Sequence, residues 1–194
     1  MRRLKAAKRR EQLLSVATKV FARFGYEAAT THAIAEAAGI TEPILYRHFK
    51  SKQDLFIAIT KQMSQQTLDH WRELIGRAGE ASEKVRLIAR EFPEHLRRLA
   101  DAYRVIHGAL ATARDRRVQA VLREHYLQIE EFFVSIVREG QASGVFRKDM
   151  DPQVPAWELI NLGIGYAMVV LNLSKFERFS VPDAVEFVLK GMKG

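Results

Sequence analysis

Between Glu11 and Phe24 the apolar residues Leu13, Ala17, Val20, Phe21 and Phe24 fall three or four positions apart, with Lys19 and Arg23 off the stripe. That spacing predicts an amphipathic helix, and Gly25 is a suitable left-handed stop for it. Thr30 is placed to cap a short second helix over 31–38, and Gly39 to end it. Its inward residues Ile34, Ala35 and Ala38 are mostly small and permit a close helix crossing. After a turn through Gly39-Ile40, Thr41 can cap a third helix barely two turns long. Pro43 is tolerated in its first turn, and Leu45 and Phe49, four apart, face inward. Ser51-Lys52-Gln53-Asp54 then has the form of a capping box, and Leu55, Phe56, Ile59 and Met63 lead into a long fourth helix.

Beyond residue 59 helical periodicity persists, punctuated by Pro93, Gly108, Gly140, Gly144, Pro152, Pro155 and Pro182, with no pair of alternating strands. The fourth helix is expected to end in Gly76-Arg77-Ala78-Gly79, the main loop to lie at 140–155, and two further helices to cover 156–173 and 182–192. The fold class is therefore all-α. The most apolar run, Leu159–Leu173, has 15 residues and contains Asn161 and Asn172. It falls short of the roughly 20 needed to cross a bilayer, so a buried helix is expected.

At 194 residues and 47% apolar, the chain can bury a sizeable core. Cysteine is absent, which excludes a disulfide framework, thiolate zinc sites and a thiol nucleophile, and fits a cytoplasmic protein. The basic N-terminus is not followed by the apolar stretch and cleavage site of a secretory signal. The net charge of +8 is unevenly placed: residues 1–56 hold 11 Lys/Arg against 5 Asp/Glu, leaving 20 against 18 for residues 57–194. A concentrated positive end is the footprint of a polyanion partner. An anionic membrane surface would give the same crude signal, but a membrane-surface helix needs a broad apolar face free to enter lipid.

Two short helices joined by a tight glycine-containing turn and buttressed on both sides form the arrangement of a helix-turn-helix DNA reader. In its second member Leu45 and Phe49 anchor the core, leaving Tyr46, Arg47, His48 and Lys52 for the solvent side. The residues Phe24-Gly25-Tyr26, Thr30, Ile34-Ala35, Ala38-Gly39-Ile40, Leu45-Tyr46-Arg47-His48-Phe49 and Ser51-Lys52 resemble the TetR family of transcriptional regulators over roughly residues 10–58. The resemblance implies a homodimer whose heads bind a palindromic operator on double-stranded DNA, with a body that dimerises and binds a small organic effector. With the helical breaks it implies about nine helices, a three-helix head over 1–56 and an effector-binding and dimerisation body over 57–194.

By resemblance Tyr46 and Lys52 contact phosphates, His48 lies near the backbone, and Thr30, Thr31, Thr41, Glu42, Pro43, Ile44 and Arg47 line the groove side. Arg47 can pair bidentately with a guanine edge, whereas Ile44 offers apolar contact to a thymine methyl. Glu42 departs from the basic or small residue common in the family; it suits the helix dipole but repels phosphate, and accepting from a cytosine amine is its alternative role. Arg2, Arg3, Lys5, Lys8, Arg9 and Arg10 form either a DNA-contacting arm or a solubilising tail.

In the body, Phe92, His95, Tyr103, Ile106, His107, Leu110, Tyr126, Phe133, Trp157 and Tyr166 fall on apolar stripes of successive helices and are the candidate effector-pocket residues. An aromatic at helical spacing is more often ordinary core than pocket lining. The near balance of charge in the body favours a neutral or amphipathic compound. Trp157, Ile160, Ile164, Ala167, Met168, Leu171, Val185, Val188 and Leu189 are the candidate dimer seam. No nucleophile elbow, phosphate-loop glycine run or close histidine pair occurs, so no catalytic residue, metal site or cofactor is expected. The competing reading is a helical small-molecule-binding or membrane-peripheral protein with a basic head.

Overall fold

The computed structural model describes residues 6–173 and 180–193. Among them there are nine helices and no strand: α1 (Ala6–Phe24), α2 (Thr31–Ala37), α3 (Glu42–Tyr46), α4 (Lys52–Ile75), α5 (Ala81–Arg98), α6 (Ala100–Thr112), α7 (Arg116–Ala142), α8 (Gln153–Asn172) and α9 (Val181–Met192). The chain divides into two compact units. One takes the residues up to Met63 together with Asp101–Glu124; the other takes Ser64–Ala100 and the residues from His125 onward. The residue ranges of α4 and α7 therefore contribute to both. Arg2, Arg3 and Lys5 of the basic arm lie outside the described residues.

In the first unit, α1 begins at Ala6, well before Glu11, and buries Leu13, Leu14, Ala17, Val20 and Phe21. Phe24 leaves the predicted stripe: it is exposed at the last turn, with the Arg23 guanidinium 5.0 Å from its ring centroid. Gly25 closes the helix at φ 79°, a conformation that a β-carbon would strain. Thr30 Oγ1 accepts from Ala33 N at 3.1 Å and caps α2. At the other end Gly39 N donates to Glu36 O and Ile40 N to Ala35 O, both at 3.0 Å, the paired bonds of a Schellman stop. Tyr26 fills the centre, its ring 5.7 Å from Phe21 and 5.0 Å from Phe56. Burial pushes its phenol up to about 12, so it stays neutral.

The first unit also holds α6 and the start of α7, which the resemblance had placed in the body. Gln53 Nε2 donates to Asp115 Oδ2 at 3.2 Å, and Arg117 donates to Asp54 Oδ1 at 2.6 Å. Asp115 in turn caps α7 by accepting from the backbone of Arg117 and Val118. The expected capping box is thus half formed. Ser51 Oγ accepts from Asp54 N at 3.1 Å, while the Asp54 carboxylate is spent on Arg117.

In the second unit α9 packs on α5 and α8. Arg86 donates to both carboxylate oxygens of Glu186, at 2.6 and 3.4 Å, and holds that carboxyl below its ordinary range. Several predicted breaks are not breaks. Pro93 lies inside α5, Gly108 inside α6, Gly140 inside α7 and Pro155 in the first turn of α8. A first-turn proline loses no helical hydrogen bond, and a lone glycine costs only about 1 kcal/mol against alanine. α8 spans 20 residues, longer than the 15-residue apolar run, and by length and composition it is long enough to cross a bilayer; here it packs against α9.

Gly140 makes room for the buried Phe146 ring, whose Cδ2 would lie 2.1 Å from a β-carbon at position 140. Gly140→Ala should therefore destabilise by about 1–3 kcal/mol through overpacking, read as a lowered denaturant midpoint. An unchanged midpoint would show that the 140–146 turn relaxes freely.

Candidate nucleic-acid interface and effector body

The second and third helices form the face predicted to read DNA. Leu45 is fully buried (0% exposed) and Phe49 nearly so, while Ile44 is 36% and Tyr46 46% exposed. Thr30, Thr41, Pro43 and Arg47 are exposed, and Thr31, Glu42, His48 and Lys52 are half-buried. One side of the five-residue α3 is thus held in the core and the other presents polar groups to solvent. With Leu45 and Phe49 buried, α3 has no broad apolar face to enter lipid.

Tyr46 Oη and Thr31 Oγ1 lie 3.1 Å apart, so the exposed phenol of α3 is tied to the first turn of α2. Glu42 sits 3.9 Å from His32 Nδ1, a neighbour the sequence reading passed over. Thr41 occupies the cap position with extended backbone but makes no side-chain cap bond, so its hydroxyl remains available on the surface.

Lys52 is placed differently from the expectation. Its ammonium donates to three carbonyls, Tyr26 O at 2.9 Å, Glu27 O at 3.0 Å and Ala29 O at 3.2 Å, and lies 4.7 Å from the centre of the Tyr26 ring. All three of its protons are used within the chain, which makes it a clasp on the turn before α2 rather than a free phosphate donor. Beside His48 a cleft of about 610 Å³ is lined by Arg10, Lys50, Lys61 and Arg117 among others, and the Arg10 guanidinium stacks 4.7 Å from the Phe49 centroid. The position of Arg10 thus adds a cation beside the candidate DNA-reading face.

The comparisons agree with this geometry. The family model described as bacterial regulatory proteins, tetR family, matches residues 13–59, which contain α2, α3 and the turn between them. The likeness to the TetR family thus rests on the helix-turn-helix segment, under half of the chain. It is 32% identical over 104 residues to the HTH-type transcriptional activator FasR of Mycolicibacterium smegmatis, covering 54% of this chain and 48% of FasR, so it spans about half of that relative. It is 26% identical over 153 residues to the HTH-type transcriptional repressor KstR2 of Rhodococcus jostii, covering 75% and 72% of the two chains. The fold matches the crystal structure of FadR from Bacillus subtilis in complex with stearoyl-CoA, with TM-score 0.78, 22% identity, and coverage of 94% and 96%.

The pocket candidates divide by unit. Tyr103, Ile106 and His107 are buried in the first unit, where the Tyr103 and His107 rings meet edge to face at 5.6 Å. Leu110, in the last turn of α6, is 50% exposed and lines no interior there. Phe92, His95 and Phe133 are buried in the second unit, and Tyr126 and Tyr166 half-buried. The Tyr166 ring lies 6.0 Å from that of Phe92. Trp157 is 36% exposed and is no cavity residue. Burial pushes His95 and His107 down to about 4, so both are neutral in the fold.

The seam candidates also need correction. Ile160, Ala167, Val185 and Leu189 are buried within the single chain, on the sides of α8 and α9 that pack inward, and cannot meet a partner. Trp157 and Met168 are exposed, and Ile164, Leu171 and Val188 half-buried. Val154 and Phe187 were missed, the latter 80% exposed. Phe187 lies opposite the 185–189 stripe of α9, and an aromatic on the polar face was the available signal. Together with 147–151, these two helices line a groove of about 710 Å³.

Proposed function

We propose that the protein is a ligand-responsive transcriptional repressor that binds a palindromic operator as a homodimer and is released by a small organic effector. The observation that carries this reading is the two-sided α3, buried through Leu45 and exposing Ile44, Tyr46 and Arg47 beside Thr31 of α2. Tyr46, His48 and Arg10 serve the phosphates; Thr30, Thr31, Thr41, Glu42, Pro43, Ile44 and Arg47 face the groove. Lys52 contributes by holding the turn that carries Thr30. Functionally, 1–56 is the DNA-binding head and 57–194 the body.

Dimerisation uses the exposed residues of α8 and α9, Val154, Trp157, Ile164, Met168, Leu171, Phe187 and Val188. Such a seam sets two recognition helices about 34–36 Å apart, one turn of duplex. The effector is taken up in the second unit among Phe92, His95, Tyr126, Phe133 and Tyr166, with Tyr103, Ile106 and His107 serving the core of the first. Its binding shifts α4 and disfavours the operator-competent spacing. An amphipathic effector with a large apolar part accords with the stearoyl-CoA bound by FadR.

Gel-shift titration against genomic fragments and random duplex tests the reading: preference for a palindrome, with affinity falling steeply as salt rises, is expected. Equal affinity for every duplex would defeat it. Within that assay Arg47→Ala should cost about 1–3 kcal/mol and relax preference at one base position, as loss of a bidentate base contact does. A uniform loss on all sequences would reassign Arg47 to phosphate.

A further inference from the structure

Two polar atoms in the interior of the second unit have no hydrogen-bond partner: Trp71 Nε1 on α4 and Tyr126 Oη on α7. Trp71 is only 4% exposed, and its neighbours are rings: Phe132 and Phe133 each at 5.6 Å and His95 at 5.9 Å. His95 Nε2 is already engaged by Thr67 Oγ1 at 3.1 Å, so it is not the indole's partner. Folded proteins seldom leave such groups unpaired, because their desolvation is not compensated. An indole N–H can only donate, and a phenol can do so too.

We infer that Trp71 Nε1 and Tyr126 Oη are the polar anchors of the effector, and that the effector is an uncharged apolar molecule bearing hydrogen-bond acceptor oxygens, such as a ketone or ester. This rests on the effector reading above and names its chemistry. The anchors and the rings around Trp71 include no cation, so a buried carboxylate would stay uncompensated. Arg98 is already engaged by Glu91 at 2.9 Å and by His70 Nε2 at 3.1 Å. His95 and Tyr126 are both held neutral by burial. Tyr126 precedes Phe133 by two helical turns, about 10 Å along α7, and Phe133 meets the Trp71 ring, so an elongated skeleton suits the two anchors. Trp71 is not among the pocket candidates read from the sequence.

Nile red, an uncharged fused-ring dye with a carbonyl oxygen, is the probe. Titrated into the full-length protein, it is expected to bind saturably at one per chain and to quench Trp71 emission in a Trp157→Phe background. Tyr126→Phe should weaken binding about 5- to 10-fold, the size of one net hydrogen bond. Without dye it should melt at or above the wild-type temperature, since it removes a hydroxyl with no partner and little else. Trp71→Phe should weaken binding at least as much.

Absence of saturable binding, wild-type affinity in both variants, or a lowered melting temperature of dye-free Tyr126→Phe would each overturn the assignment. Operator affinity followed in the same titration separates the two readings. Binding that depends on Tyr126 but leaves operator affinity unchanged supports these anchors and removes the effector role. Operator release that neither substitution affects keeps the effector role and overturns the anchors.

Discussion

Leu45→Ala is expected to abolish specific operator binding, with affinity falling by at least about 100-fold in a gel shift, while total helicity by circular dichroism changes little. Truncating a fully buried leucine costs about 2–5 kcal/mol. The cost here falls on a helix of five residues, far below the length at which a helix is stable without tertiary packing. Leu45 and Phe49 are the side chains that hold this segment to the core, and the exposed Ile44, Tyr46 and Arg47 keep their positions only through them. Ile44→Ala, at a 36% exposed position, is the control. It should leave the thermal midpoint nearly unchanged and alter only DNA affinity. Wild-type operator affinity in Leu45→Ala would show that α3 is not the reading element.

Acid should destabilise the protein at a pH well above the usual carboxylate range. His95 and His107 are pushed down to about 4 by burial, whereas an unfolded histidine titrates near 6.5. The neutral form is the one the fold tolerates, so below pH 6.5 the unfolded chain takes up protons that the folded chain does not. Stability is then full above pH 6.5, falls as pH drops, and has lost the whole contribution by about pH 4. A displacement of this size corresponds to about 3 kcal/mol per residue. Denaturant midpoints measured from pH 7.5 to 4.5 check it. His107→Leu should flatten the curve by about half, because His107 Nδ1 has no partner whose loss would confuse the result. A flat profile between pH 7.5 and 5 would refute the assignment.

Where local chemistry decides conformation, the sequence was legible. The Thr30 cap, the stops at Gly25 and Gly39 and the inward pair Leu45 and Phe49 all depend on residues within five positions of one another. The exposed side of the 42–49 segment followed directly, since anchoring through Leu45 and Phe49 leaves Ile44, Tyr46 and Arg47 to solvent. Lys52 was misjudged because a lysine near DNA-facing residues reads as free charge. Its engagement depends on three carbonyls 23 to 26 residues away. The punctuation was overread at Gly108, where a lone glycine costs only about 1 kcal/mol, and at Pro93, where the packing of α5 outweighs a local cost of about 3 kcal/mol.

In the body, periodicity separated apolar from polar positions but not one burial from another. Ile160 and Trp157 carry the same signal, yet the first is turned inward on α8 and the second lies at the surface. The placement of 101–124 with the head rests on Gln53–Asp115 and Asp54–Arg117, polar pairs more than sixty residues apart that leave no periodic trace.

The sequence alone was enough for an all-helical chain with a helix-turn-helix near residue forty, because capping, glycine stops and helical spacing act over one or two turns. Tertiary structure decided which cations are spent internally, which apolar residues remain for a partner, and which buried polar atoms are left unpaired. Those outcomes depend on the approach of segments distant in the chain, and no short-range pattern encodes that approach.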